Sequence, residues 1–113
     1  MSDPELEALR RKKLAALQER LLRHALTLVK PGGIVVFSNC SLDPSEGEEI
    51  IARILADSSA IKRVAIRAED WPGLEAAISP DGDFRTTPAM LPLPEGFASG
   101  LDGFFASVLT RNA

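Results

Sequence analysis

Residues 30–44, Lys-Pro-Gly-Gly-Ile-Val-Val-Phe-Ser-Asn-Cys-Ser-Leu-Asp-Pro, decide how this chain is read. Pro31, Gly32 and Gly33 stop any preceding helix and turn the backbone. The four apolar residues Ile34 to Phe37 then read as a strand covered on both faces, as inside a parallel or mixed sheet. The only cysteine of the chain, Cys40, follows at the carboxyl end of that strand, where open α/β sheets keep their chemistry. Asp43, Pro44 and Glu46 next have the character of a helix start: a side-chain cap, a proline at the first helical position and an acid in the first turn. A thiol just ahead of a helix amino terminus lies near unpaired N–H groups and the positive end of the dipole, which favour a thiolate. Cys40 is therefore expected to be reactive. The competing reading is a small buried hydrophobe, the usual fate of a lone cysteine, and the strand-end placement is what argues against it.

Upstream, Asp3-Pro4 opens a helix in which Leu6, Leu9, Leu14, Leu17, Leu21, Ala25 and Leu28 recur at helical spacing, one stripe expected to face the core. His24 lies one position off that stripe, and without a second histidine or an acid cluster at ligand spacing no metal site is expected. The run Arg10-Arg11-Lys12-Lys13 shares the helix with Glu5, Glu7 and Glu19, so a solvated face is the default reading and contact with RNA the alternative. Downstream, a second helix is expected from about Pro44 to Asp57, burying Ile50, Ile51, Ile54 and Leu55. Ile61 to Ala68 reads as an edge strand with one wetter face, and Trp71 to Pro80 as a loop with a short helical turn in which Trp71 closes one end of the core. Pro88, Pro92 and Pro94 confine Phe84–Thr87 to a short strand and predict a mobile loop after it, before a terminal strand over Phe104–Thr110.

The 113 residues, 45% hydrophobic and 26% charged, suit a single domain over residues 1–113 with a modest core. A net charge of −3 and a pI of about 5.1 argue against autonomous grip on a phosphate backbone. One cysteine excludes an internal disulfide, and no leader or long apolar span is evident, so a cytoplasmic setting without a membrane is expected.

Leu17-Gln18, Leu21-Leu22, Ala25, Leu28-Val29-Lys30-Pro31-Gly32-Gly33, Asn39-Cys40-Ser41-Leu42 with Pro44, Glu46 and Glu48, Arg85-Thr86-Thr87-Pro88 and Asp102-Gly103-Phe104-Phe105-Ala106 together resemble the carboxyl-terminal half of the Sun (RsmB-like) RNA cytosine methyltransferases. Lys-Pro-Gly-Gly before a strand is common among methyltransferases; Cys-Ser-Leu-x-Pro followed by glutamates and a distant Asp-Gly-Phe-Phe is far more specific. The resemblance implies an α/β fold: the carboxyl-terminal half of a Rossmann-like class I methyltransferase sheet, with a mixed three- to four-stranded sheet and two main helices. The Ile34 strand would be fifth of seven, the last two strands here sixth and seventh. Ile34 would lie beside the terminal Phe104 strand, its other edge open where a fourth strand is missing.

The resemblance also implies that Cys40 is the nucleophile that adds to carbon 6 of cytosine, flanked at the substrate by Ser38, Asn39 and Ser41 and, more remotely, by Arg85. Asn39 stands where the family usually has Thr, and Ser45 and Gly47 replace the usual Glu and Asn. Nothing resembles the glycine-rich loop that holds S-adenosylmethionine or the family's Asp-x-Pro-Cys segment, so the chain is expected to be a truncated part of an rRNA-directed enzyme, inactive and without cofactor on its own. RNA is the partner the family implies, and the open strand edge predicts a homodimer or a complementary amino-terminal fragment. A noncatalytic assembly or binding module derived from the family, or an unrelated small α/β protein with a reactive thiol, are the rival readings.

Overall fold

In the computed structural model the described residues are 2–41, 43–87 and 103–112. Ser2 starts the first helix, α1 (Asp3–Leu28), by a reciprocal cap: its hydroxyl accepts the Glu5 N–H at 3.3 Å while the Glu5 carboxylate accepts the Ser2 N–H at 3.2 Å. The helix stops before the Pro31-Gly32 turn, where Gly32 adopts φ +82°, a conformation side chains with a Cβ rarely take. No basic residue of its own last turn serves its final carbonyls. Arg111 does so from the far end of the chain, donating to the Thr27 carbonyl at 3.3 Å and the Val29 carbonyl at 3.0 Å.

The remaining α-helix and strands are β1 (Ile34–Asn39), α2 (Glu48–Asp57), β2 (Ile61–Val64), β3 (Phe84–Thr86) and β4 (Phe104–Arg111), with 3-10 turns over Pro44–Glu46, Ala68–Asp70 and Glu75–Ala77. The terminal strand β4 is the centre of the sheet. It runs antiparallel to β1 along one edge, with Ile34 opposite Thr110 and Asn39 opposite Phe105. Its other edge is shared end to end by β2 and β3, with Val64 opposite Val108 and Phe84 opposite Ala106. The expected α/β architecture, with two main helices and a three- to four-stranded sheet, is present, but the sheet is not mixed as expected: β1 and β2 run in the same direction and are separated by β4, so every pairing among the described residues is antiparallel. The expected strand over Ile61–Ala68 ends at Val64, and the mobile loop expected after Thr87 lies outside the described residues.

Both helices pack on one face of this sheet. Leu22 and Leu26 of α1, Ile50, Ile51 and Ile54 of α2, Phe37, Phe105 and Leu109 form the core. Here the expected stripe on α1 is corrected: Leu6, Leu9, Leu14, Leu17, Leu21 and Leu28 are exposed, Leu28 by 72%, while Ala15, Leu22 and Leu26 are buried. At about 100° per residue this helix carries two apolar stripes on nearly opposite sides, and spacing alone does not select between them. The face that packs is the one carrying Leu22 and Leu26, which meet Ile50, Ile51 and Ile54 of α2 and the sheet, and it is bordered by charges that bridge the two helices. Glu19 accepts from Arg23 at 2.8 Å and Arg53 at 2.6 Å, and Arg23 also pairs with Asp57 at 2.7 Å, joining α1 to α2.

The hydrogen bond from Arg53 holds the Glu19 carboxyl below its usual range, against a smaller opposing effect of burial and with help from Arg23. A carboxyl lowered on folding contributes stability that is present above its unfolded value, near 4.5, and is lost as pH falls through the lower folded value. Glu19→Gln is therefore expected to flatten the fall in urea midpoint below pH 4.5 relative to the parent chain; identical pH profiles would refute the coupling.

The second face of the sheet has no α-helix on it among the described residues, only the segment that carries the 3-10 turn Ala68–Asp70 at its border. Ile34 is 60% and Val36 59% exposed, so β1 is covered on one face only, contrary to the expectation from its unbroken apolar run. An apolar run marks a strand whose two faces suit burial; it does not supply the second layer. Val36, Phe84, Phe104, Ala106 and Val108 line an open groove of about 520 Å³ on this side. Trp71 stands at this groove, 6.3 Å from Phe84 between ring centroids and 50% exposed, and does not close the core as expected. Among the described residues no helix is long and apolar enough to cross a membrane, and no cluster of His, Cys, Asp and Glu is arranged to hold a metal.

Candidate functional site

β1 delivers the chain to a turn at Cys40, which is exposed. Polar side chains on either side of the cysteine tie this turn down. The Asn39 carboxamide donates to Gln18 Oε1 at 2.8 Å and to the Glu46 carbonyl at 2.6 Å, and its oxygen accepts the Ser41 N–H at 3.1 Å. The Ser41 hydroxyl accepts the Asp43 N–H at 3.0 Å, and Asp43 Oδ1 accepts the Ser45 N–H at 2.9 Å. Each is a short-range side-chain turn of the kind Asn, Ser and Asp form readily. The bond from the Ser45 amide, reinforced by the Ser45 hydroxyl, holds the Asp43 carboxyl below its usual range.

Asp43 does cap a helical segment, but only the 3-10 turn over Pro44–Glu46; α2 begins at Glu48, after Gly47, without a side-chain cap. The expected single helix from Pro44 is thus broken at Gly47. The dipole of α2 starts beyond that break and not directly after Cys40, which removes the simplest electrostatic argument for an activated thiol.

Gly47 is required there by close packing: a Cβ would lie 2.9 Å from the Phe105 ring and 3.0 Å from Arg85 Nη2. Arg85, on β3 opposite Phe105, lays its guanidinium 5.0 Å from the centre of that ring. Its Nε donates to Glu48 Oε2 at 3.1 Å, Nη2 donates to Glu48 Oε1, and Nη1 donates to the Ser41 carbonyl. Burial pushes the Glu48 carboxyl up, but the Arg85 bonds and its own backbone N–H outweigh this and leave it below its usual range.

Four of the five residues singled out in the sequence thus come together: Asn39, Cys40, Ser41 and Arg85. Ser38 is exposed one residue earlier on β1. The polar groups of Asn39, Ser41 and Arg85 are engaged within the protein, leaving the Cys40 thiol as the exposed reactive group of the cluster. Gln18, Glu46 and Gly47 escaped the sequence reading as members of the site. They act through a side-chain amide on α1, a backbone carbonyl and a missing Cβ; the first two residues enter the family resemblance and the third departs from it, but none of these roles is written in residue type alone.

Comparison with known proteins gives this geometry a context. Residues 4–110 match the family model described as 16S rRNA methyltransferase RsmB/F. The chain is 34% identical over 88 residues to the mouse mitochondrial tRNA (cytosine(34)-C(5))-methyltransferase, covering 75% of this chain and 24% of that protein. It is 32% identical over 100 residues to ribosomal RNA small subunit methyltransferase F of Aeromonas hydrophila, covering 88% of this chain and 19% of that protein. A crystal structure of a methyltransferase homologue from Pyrococcus horikoshii superposes with a TM-score of 0.65 at 27% identity, over 88% of this chain and 32% of that one. The chain therefore spans about a quarter or less of the curated relatives named here. With the match running from the first helix through the Cys40 turn to the central terminal strand, the chain belongs to the RsmB/F methyltransferase family.

Proposed function

We propose that this chain supplies the nucleophile-bearing part of an RNA (cytosine-5) methyltransferase acting on rRNA, with Cys40 adding to carbon 6 of the target cytosine. The observation that carries this is the exposed thiol at the end of β1, in a turn whose other polar groups are already bonded. In the reaction the thiolate forms the S–C6 bond and the ring electrons move to carbon 5, which becomes nucleophilic enough to take a methyl group from a donor held by a part of the enzyme outside the described residues, the donor leaving without its methyl. A base outside the described residues, or water, then takes the carbon 5 proton; the released electron pair re-forms the C5–C6 double bond and expels the Cys40 thiolate, restoring the aromatic ring. The base must leave its stack to reach Cys40, and Ser38 is the flanking residue exposed to meet it.

S-adenosylmethionine does not fit the described residues. Gly32 and Gly33 lead into β1 and do not follow a strand, and Gly47 is packed against Phe105 and Arg85. No step through that cofactor is assigned to this chain. Alone, it is expected to show no saturable micromolar binding of S-adenosylmethionine by calorimetry; such binding would overturn the inactive-alone reading. The nucleophile itself is tested by mixing the chain with the cofactor-binding part of a related enzyme, the cofactor and RNA containing 5-azacytosine, whose ring cannot lose a proton at position 5. Covalent capture lost in Cys40→Ser supports the reading, and capture unaffected by that change refutes it.

The free edge of β1, the open sheet face and the exposed leucines of α1 support assembly with another polypeptide. For the chain alone the expected form is a homodimer in a reducing, cytoplasmic setting. Light scattering that finds a monodisperse 12.2 kDa monomer would exclude the homodimer and leave a complementary cofactor-binding fragment as the partner.

A further inference from the structure

We propose that Arg85 is a positioning residue for Cys40, fixing the Ser41 carbonyl while the Asn39 carboxamide fixes the Ser41 N–H, so that the turn bearing the thiol is held from both sides. The guanidinium has the character of a clamp and not of a phosphate receptor: its side chain is only 16% exposed, with one face on Phe105 and its edge shared between Glu48 and Ser41. Three different nitrogens make these bonds. That geometry needs the planar fork of arginine; a lysine ammonium cannot lie on the ring and bridge a carboxylate and a carbonyl at once.

The clamp joins three parts distant in sequence. Phe105 anchors it to the central strand, Glu48 to the first turn of α2, and Ser41 to the residue after the cysteine. Gly47 leaves the space in which ring and guanidinium stack. On the other side of Cys40, Asn39 ties the same turn to α1 through Gln18 and to the 3-10 turn through Glu46. A nucleophile held within a fraction of an ångström of its attacking position gains in rate from that order alone. The inference deepens the reading of Cys40 as the nucleophile and takes its functional meaning from it.

Because Cys40 is the only cysteine, a trifluoromethyl ketone tag on its sulfur reports this turn alone by fluorine NMR, and amide exchange at Ser41 reports the clamp. The tagged parent chain is expected to give one resonance displaced from that of the urea-unfolded chain. Arg85→Met should move it towards the unfolded position and speed Ser41 exchange about tenfold, while Ser107 and Leu109 amides on β4 exchange as in the parent. Arg85→Lys should not restore either signal. If Arg85→Met does not fold, Glu48→Gln, which leaves the guanidinium on Phe105, should shift both signals in the same direction by a smaller amount. Unchanged Cys40 and Ser41 signals in the folded variants, or equal acceleration of all amides, would overturn the proposal. Neither signal involves RNA or methyl transfer, so failure here leaves the covalent reading of Cys40 standing, and failure to capture RNA leaves the clamp standing.

Discussion

Asp83→Ala is expected to cost about 3–5 kcal/mol of folding stability, the loss seen when one partner of a buried ion pair is removed. Asp83 is only 3% exposed. Its two carboxylate oxygens accept Arg63 Nε at 3.0 Å and Nη2 at 3.2 Å, and the fully buried Ser107 hydroxyl donates to it at 2.7 Å. The same residue pairs with Ser79 through its backbone, its N–H donating to the Ser79 hydroxyl at 3.1 Å and its carbonyl accepting the Ser79 N–H at 2.8 Å. It therefore joins the two short strands that share one edge of β4. With alanine there, the Arg63 guanidinium, whose side chain is 23% exposed, and the fully buried Ser107 hydroxyl lose their partner, and their desolvation is no longer offset. Small domains have about 5–15 kcal/mol in total, so urea denaturation should find the variant close to unfolded in buffer. Replacing Arg63→Met and Asp83→Leu together should recover much of the loss, since matched apolar groups leave no buried charge. A single-variant cost below about 1 kcal/mol would mean that the exposed part of Arg63 is enough to rehydrate its guanidinium and that the pair behaves as an ordinary surface bridge.

A comparable loss, about 3–5 kcal/mol, is expected for Phe105→Ala. Phe105 is completely buried on the central strand, with the Phe37 ring 6.3 Å away edge-on and the Arg85 guanidinium on another side. Truncation opens a cavity among Phe37, Ile50, Ile51 and Leu109 and also removes the platform on which Arg85 rests. Phe105→Leu separates the two effects: it restores most of the volume but no aromatic face, so its remaining deficit in a urea titration reports ring–ring and cation–ring contacts of about 0.5–2 kcal/mol each. If Phe105→Leu were as stable as the parent chain, Arg85 would be held by Glu48 and Ser41 alone.

Several parts of the site were legible in the chain itself. The turn at Pro31-Gly32-Gly33, the strand from Ile34, the cysteine at its end and the Asp43 cap all follow from local chemistry, because φ restriction, apolar runs and side-chain bonds to nearby amides act within a few residues. The terminal strand and the buried trio Ile50, Ile51 and Ile54 were legible for the same reason. The division of the expected second helix at Gly47 was not, because that break is set by Phe105 and Arg85, more than thirty residues away.

Arg63 shows the same limit from the other side. In sequence it belongs to the wetter face of an edge strand, yet on β2 it points under the helices, because Asp83 and Ser107 meet it there. A charge is placed by its partner, and the partner comes from another strand. The two leucine stripes of α1 make the point most plainly. By itself the sequence determined that this segment is a helix, where it starts and stops, and that it is apolar on two sides, since these depend on spacing and capping along one chain segment. Only the tertiary structure decided that Leu22 and Leu26 are inside and Leu21 and Leu28 outside. That choice is made by the apolar packing of Leu22 and Leu26 against α2 and the covered face of the sheet, with the exposed ion pairs to Arg53 and Asp57 as a minor addition, long-range contacts that periodicity does not encode.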